Sequence, residues 1–172
     1  MADVFGQLAD LLSTANASIL IAPQVRPRSA TYDLDYRVAI VACAMQALST
    51  QDRLGHQRVI AGWLKLAQFT AIRPALLSHV LQWIEDRKSA TLVSERWRRG
   101  FVGDRVHDAV VEFLAAHGIV RRHEDLLLLG PRYSLLADVE ATVRARGLFS
   151  KEREILSQFS KLRPVKAMLS GA

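Results

Sequence analysis

Apolar residues recur along this chain at helical spacing, in blocks separated by short polar stretches. Phe5, Leu8, Leu11, Leu12, Ile19 and Leu20 predict a helix over residues 3–21, because positions three and four apart share one helical face. "PQVRPRSATYD" (23–33) then breaks the pattern; two prolines within five residues and two arginines make it a linker. Asp33 is an N-cap for a helix running to about Leu48. The segment "VAIVACAM" (Val38 to Met45) is apolar on every side, the mark of a buried central helix. "STQDR" turns the chain. A helix over 54–71 directs Val59, Ile60, Trp63, Leu64 and Leu66 inward. Pro74 starts another at its first-turn position, with Leu76, Leu77, Val80, Leu81 and Ile84 as its apolar stripe. "SATLVSERWRRGFVGD" has two glycines, no helical period, and room for a short strand at Thr91 to Val93. Asp104 caps a fifth helix with Val106, Ala109, Val110, Phe113 and Leu114 on one face. Gly118 falls where a left-handed C′ residue belongs.

The period then changes. In "HGIVRRHEDLLLLGPRY" (His117 to Tyr133), "IVRR" and "LLLL" read as two short strands around the turn "HED", ended by Gly130 and Pro131. A helix followed by such a hairpin is the winged-helix arrangement. The four leucines cannot all face water. One face of the hairpin should pack on the preceding helix, and the other should meet the C-terminal helices or a partner. Those helices span about 134–146, closed by Gly147, and about 151–162, capped by Ser150. The tail "RPVKAMLSGA" is basic and apolar and frays unless bound. The expected fold is mainly α: a winged-helix domain, helices plus a short β-hairpin wing, with extra N- and C-terminal helices. Its divisions are an N-terminal helix at 1–22, a linker at 23–32, a winged-helix-like core at 33–133, and the C-terminal helices and basic tail at 134–172.

Half of the 172 residues are hydrophobic, enough for a sizeable core and against global disorder. The longest apolar run is eight residues, against the roughly 18 of a membrane span. Asp3 and the missing basic n-region argue against a signal peptide. Cys43, the single cysteine, rules out an intrachain disulfide and a cysteine-based zinc site. The expectation is a cytoplasmic protein with no membrane partner.

The net charge is +6, and its distribution is uneven. Residues 1–86 hold seven Lys/Arg and seven Asp/Glu, whereas residues 87–172 hold sixteen against ten. The second half therefore faces an acidic partner or carries a solvated basic surface. Catalytic patterns are missing. There is no phosphate-cradling G-x-x-x-x-G-K-[ST] loop and no G-x-S-x-G elbow. Cys43 lies inside an apolar helix, where a cysteine is a small inert hydrophobe. His107, His117 and His123 stand ten and six apart, which matches no common metal spacing. His123, Glu124 and Asp125 read as a solvated turn. "GFVG" (Gly100 to Gly103) resembles the G-x-x-G clamp of RNA-binding KH domains, but the order of elements around it is wrong. No catalytic residue, metal or cofactor is expected, and the chain reads as a non-enzyme.

The strongest constellation is "RKSATLVSERWRRGFVGDR" (Arg87 to Arg105), in which Trp97 and Phe101 interleave with Arg87, Lys88, Arg96, Arg98, Arg99 and Arg105. Arginine forks match phosphate oxygens, and the glycines let backbone approach closely. Arg96, Arg98, Arg99 and Arg105 are therefore candidate DNA contacts, unless Trp97 and Phe101 are core anchors and the arginines merely solvated. Arg121 and Arg122 on the wing join the candidates; adjacent strand residues point to opposite faces, so one of them reaches a wing-bound partner. Ile155, Leu156, Phe159 and Leu162 form a late apolar stripe beside seven basic residues between 144 and 166. That stripe either folds back on the wing leucines or docks a partner.

"HDAVVEFLAAHGIV … LLLLGPRYSLLADVEATVRARGLFSKEREILSQFSKLRPVKAMLSG" resembles the C-terminal half of the middle component of bacterial three-component ABC systems, which include Lamassu-type antiviral and antiplasmid modules. Tyr133 and Leu135 match that family's "Y-x-L" step, and Lys151 and Glu152 the start of its final helix. "RLGHQRVIAGWLKL" (Arg53 to Leu66) is similar to its first winged-helix half. "SLLAD" stands where the family has T-x-x-G after the tyrosine step. The resemblance implies a non-catalytic adaptor on an SMC-like ABC ATPase that detects foreign DNA, linking it to an effector subunit, with double-stranded DNA met inside the complex. The competing reading is a stand-alone winged-helix transcriptional regulator.

Overall fold

The computed structural model describes residues 33–53, 56–85 and 96–164. The expected N-terminal helix, the linker 23–32, the strand at Thr91 to Val93 and the tail beyond Pro164 lie outside them. The described part is mainly helical with one small antiparallel sheet.

Helix α1, Leu34–Leu48, is the axle. The Asp33 carboxylate accepts a hydrogen bond from the Tyr36 N–H at 3.0 Å, so the expected cap is in place. Every residue from Arg37 to Met45 is buried, as all-round apolarity requires. Strands β1, Thr50–Gln51, and β2, Gln57–Ile60, follow. Helix α2, Ala61–Ala71, leads through a 3-10 turn at Pro74–Leu76 into α3, Leu77–Glu85. Helix α4, Arg96–Val102, and helix α5, Arg105–Ala116, precede the hairpin of β3, Val120–His123, and β4, Leu126–Leu129. Helices α6, Ser134–Ala145, and α7, Ser150–Ser160, close the described chain. Both pack on α1, and α7 also packs on α2.

Four sequence expectations change. First, residues 57–60 are a strand, not the start of a helix. Val59 and Ile60 pair with Leu127 and Leu126; β-branched side chains fit that pleat better than a helical turn. The Ala61 N–H at the start of α2 then donates to the Asp125 carbonyl at 2.8 Å. Second, residues 96–102 are helical, although two glycines flank the end of the segment. Third, His123 belongs to β3, opposite Leu126. The turn is Glu124–Asp125, and Glu124 takes the left-handed conformation (φ 52°). Fourth, Ser150 is the first residue of α7 rather than its cap; the left-handed Phe149 (φ 53°) stands before it.

The sheet order is β1-β2-β4-β3, antiparallel throughout. The leucine strand is therefore central, and its two faces differ. Leu127 is buried, while Leu126 and Leu128 on the opposite face are half-buried and stand apart from the core cluster. Gly118 has φ +70°, as its place after α5 predicts. Gly130 is required for a different reason: a Cβ there would collide with the Gly118 carbonyl, since the Gly130 N–H donates to Ile119 at 2.8 Å.

Candidate functional site

Arg37 on α1 is fully buried, a feature that hydrophobic pattern alone hides. Its Nη2 donates to Asp104 Oδ1 at 2.6 Å, and Arg73 Nη1 stands 3.9 Å from the other carboxylate oxygen. Asp104 also caps α5, accepting from the His107 N–H at 3.2 Å. Burial pushes the Asp104 carboxyl up, but the Arg37 hydrogen bond and charge outweigh it and hold it below the ordinary range. One carboxylate thus ties α1, the start of α5 and the turn after α2 together. Beside it, His107 Nδ1 lies 2.5 Å from Gln68 Oε1. Burial, then the Lys65 charge, push His107 down to about 4. It is a neutral hydrogen-bonding group that joins α5 to α2.

A pH dependence follows. The folded value, about 4, lies below the ordinary 6.5, so the unfolded chain binds more protons between those limits and stability falls as pH falls through them. From pH 7 to pH 4 this single group should remove on the order of 3 kcal/mol. Urea denaturation of the His107→Asn variant should show that much less acid sensitivity than wild type. Equal pH profiles would refute the assignment.

The aromatic residues among the arginines are core anchors. Trp97 is buried against Trp83, with ring centroids 5.9 Å apart, and Phe101 against Phe69 at 5.8 Å. Neither is free to stack on a base. Arg99 and Arg105 are exposed around the Gly103–Asp104 turn, while Asp104 itself points inward to Arg37. The side chains of Arg96 and Arg98 lie outside the described positions. Arg121 and Arg122 are both exposed, because β3 is an edge strand and both its faces near the turn meet solvent. Arg58 on β2, which the sequence reading placed in a helix, shares a cross-strand row with Arg121.

The C-terminal stripe is a correction. Ile155, Leu156 and Phe159 are buried within the chain, with Phe159 against Trp63 at 5.2 Å between centroids. Leu162 alone is half-buried. Their apolar area is covered by α1 and α2, so the stripe cannot serve as an open docking face. The helix is also anchored by the Tyr36 hydroxyl, which donates to Glu152 at 2.9 Å.

A cleft of about 570 Å³ runs between α1, α6 and α7, with Cys43, Gln46, Glu140, Arg144, Arg153 and Glu154 in its walls. Two of its charges pair with each other: Arg144 Nη2 and Nε donate to Glu140 Oε1 at 2.6 and 3.0 Å, while Arg153 Nε donates to the Leu148 carbonyl at 3.1 Å. Burial, then Glu140, push the Cys43 thiol up to about 11, so it stays protonated at neutral pH and is a poor nucleophile. Among the described residues no three His, Cys, Asp or Glu side chains gather as a metal site, and no helix is long and apolar enough to cross a membrane. No family model, no curated protein and no solved structure matches the chain.

Proposed function

We propose that this protein is a non-catalytic winged-helix adaptor of an SMC-like ABC ATPase complex in anti-phage or anti-plasmid defence, acting in the cytoplasm and linking DNA sensing to an effector. The order of elements supports the winged-helix part. A strand after the first helix closes the hairpin into one sheet, and α5 leads straight into that hairpin. The observation that carries the adaptor reading is the outward face of α5, the helix that a DNA-reading winged helix would lay in the major groove. Its exposed positions are Arg105, Ala109, Glu112 and Ala116, one cation and one anion. Half-buried Asp108 is held by Lys65 at 2.9 Å. Phosphate and base-edge recognition need clustered cationic and donor groups, and this face has too few.

A regulator reading draws on Arg121 and Arg122, exposed on the wing. Co-expression separates the two. An adaptor should co-purify with an SMC-like ATPase and effector encoded beside it, at fixed stoichiometry. A clean homodimer that ignores the ATPase and shifts duplex DNA by itself would overturn the adaptor reading.

A further inference from the structure

We propose that the outer face of the sheet docks an acidic protein segment bearing one large apolar anchor. Cross-strand neighbours in an antiparallel sheet stand on the same face. The register aligns Thr50, Arg58, Leu128 and Arg121 in one row, and Ile60, Leu126 and His123 in the next. Arg58 and Arg121 thus flank Leu128, two strand spacings or about 10 Å apart. Neither guanidinium has an ion-pair or hydrogen-bond partner among the described residues. Leu126 and Leu128 are half-buried and do not join the core cluster. Beside Leu126 lies a groove of about 260 Å³, walled by Leu48, Ile60 and Trp63 with Arg58 on its rim. That space takes an aliphatic or aromatic side chain; Arg58 puts positive charge at its rim, and Arg121 adds a second cation across Leu128 on the same face.

Charge complementarity selects the occupant. The two rows hold two unpaired arginines and no carboxylate, so an acidic segment fits. The chain's own tail fits poorly. Pro164 lines the groove, but Arg163 and Lys166 on either side of it carry the same sign as Arg58. Duplex DNA would satisfy the arginines and leave the apolar groove unused. In an acidic protein segment the apolar anchor supplies affinity, and the arginines speed and orient the encounter. The inference rests on the adaptor reading only for the partner's identity; the surface itself is tested without the ATPase, so the two ideas fail separately.

The probe is a fluorescein-labelled peptide, Glu-Asp-Leu-Trp-Asp-Glu, titrated with the full chain and followed by anisotropy. Its basic counterpart Lys-Arg-Leu-Trp-Arg-Lys, a peptide of residues 163–172 and a short DNA duplex are run in parallel. The acidic peptide should bind at least about tenfold tighter than the basic one. The paired change Arg58→Glu with Arg121→Glu should weaken it at least about tenfold with an unchanged melting temperature. Leu126→Asp should weaken it too; should that variant unfold, the paired reversal, on surface positions, decides by itself. Binding of the acidic peptide that ignores the charge reversal overturns the proposal. So does equal or tighter binding of the tail peptide, or a reversal that abolishes duplex binding while the acidic peptide never binds.

Discussion

Asp104→Ala should cost about 4 kcal/mol of stability, although Asp104 is one small residue in a turn. Two losses combine. Arg37 is wholly buried, and its Nε and Nη1 have no hydrogen-bond partner; Asp104 at 2.6 Å is its counter-charge. Removing one member of a buried pair leaves an uncompensated charge, which costs roughly 3–5 kcal/mol. The substitution also removes the α5 cap on the His107 N–H, worth about 1 kcal/mol. Asp104→Asn keeps a capping oxygen and should lose less. Adding Arg37→Met to Asp104→Ala should restore most of the loss, because replacing both partners of a buried pair by apolar groups is close to neutral. Urea denaturation of the four proteins tests the set. A loss under about 1 kcal/mol for Asp104→Ala, the value of the cap alone, would show that Arg37 is not held by this pair.

Phe159→Asp should be at least as damaging, and for a different reason. Phe159 is fully buried between α7 and the Trp63 ring. Truncating a buried phenylalanine costs about 3–5 kcal/mol, and placing a carboxylate in the same apolar site adds a desolvation penalty. At roughly 2–4 °C per kcal/mol for a chain of this size, the melting temperature should fall by more than about 10 °C, or the protein should fail to fold. Phe159→Leu, which stays apolar, should lose only a fraction of that. A Phe159→Asp protein that melts like wild type and loses only partner binding would return the stripe to the surface and undo the packing described for α7.

Much of the fold was legible in the sequence where local rules act alone. Asp33 and Asp104 cap the helices they precede, because a side-chain oxygen next to a free backbone N–H is a contact of three residues. Gly118 ends α5 in the left-handed region for a reason confined to its own backbone. The apolar run at Val38 to Met45 predicted the central helix, since no surface position tolerates such a run on every side. Local rules failed where a distant partner decides. Residues 57–60 are a strand only because Leu126 to Leu128 stand beside them, far along the chain. In isolation "QRVI" extends the α2 pattern equally well, which is why a helix was expected there.

The candidate site divides the same way. Its basic residues could be read directly from the sequence, but their surroundings could not. Trp97 and Phe101 alternate with arginines as a nucleic-acid surface would, yet their rings are turned into the core. Arg37 sits in a helix whose pattern gave it no role, and its value depends on Asp104, sixty-seven residues away. The stripe at Ile155, Leu156 and Phe159 was amphipathic by sequence, and amphipathicity states only that a face must be covered. The sequence alone determined the helices at Leu34–Leu48, Leu77–Glu85, Arg105–Ala116, Ser134–Ala145 and Ser150–Ser160, and which residues need burial or carry charge, because these follow from contacts within a turn or two. Only the tertiary structure decided that α1 and α2 cover the α7 stripe, that β2 and β1 extend the hairpin into a four-stranded sheet, and that Arg58 stands in line with Arg121. Each of those depends on which distant surfaces meet, and hydrophobic burial is non-directional and does not name its partner.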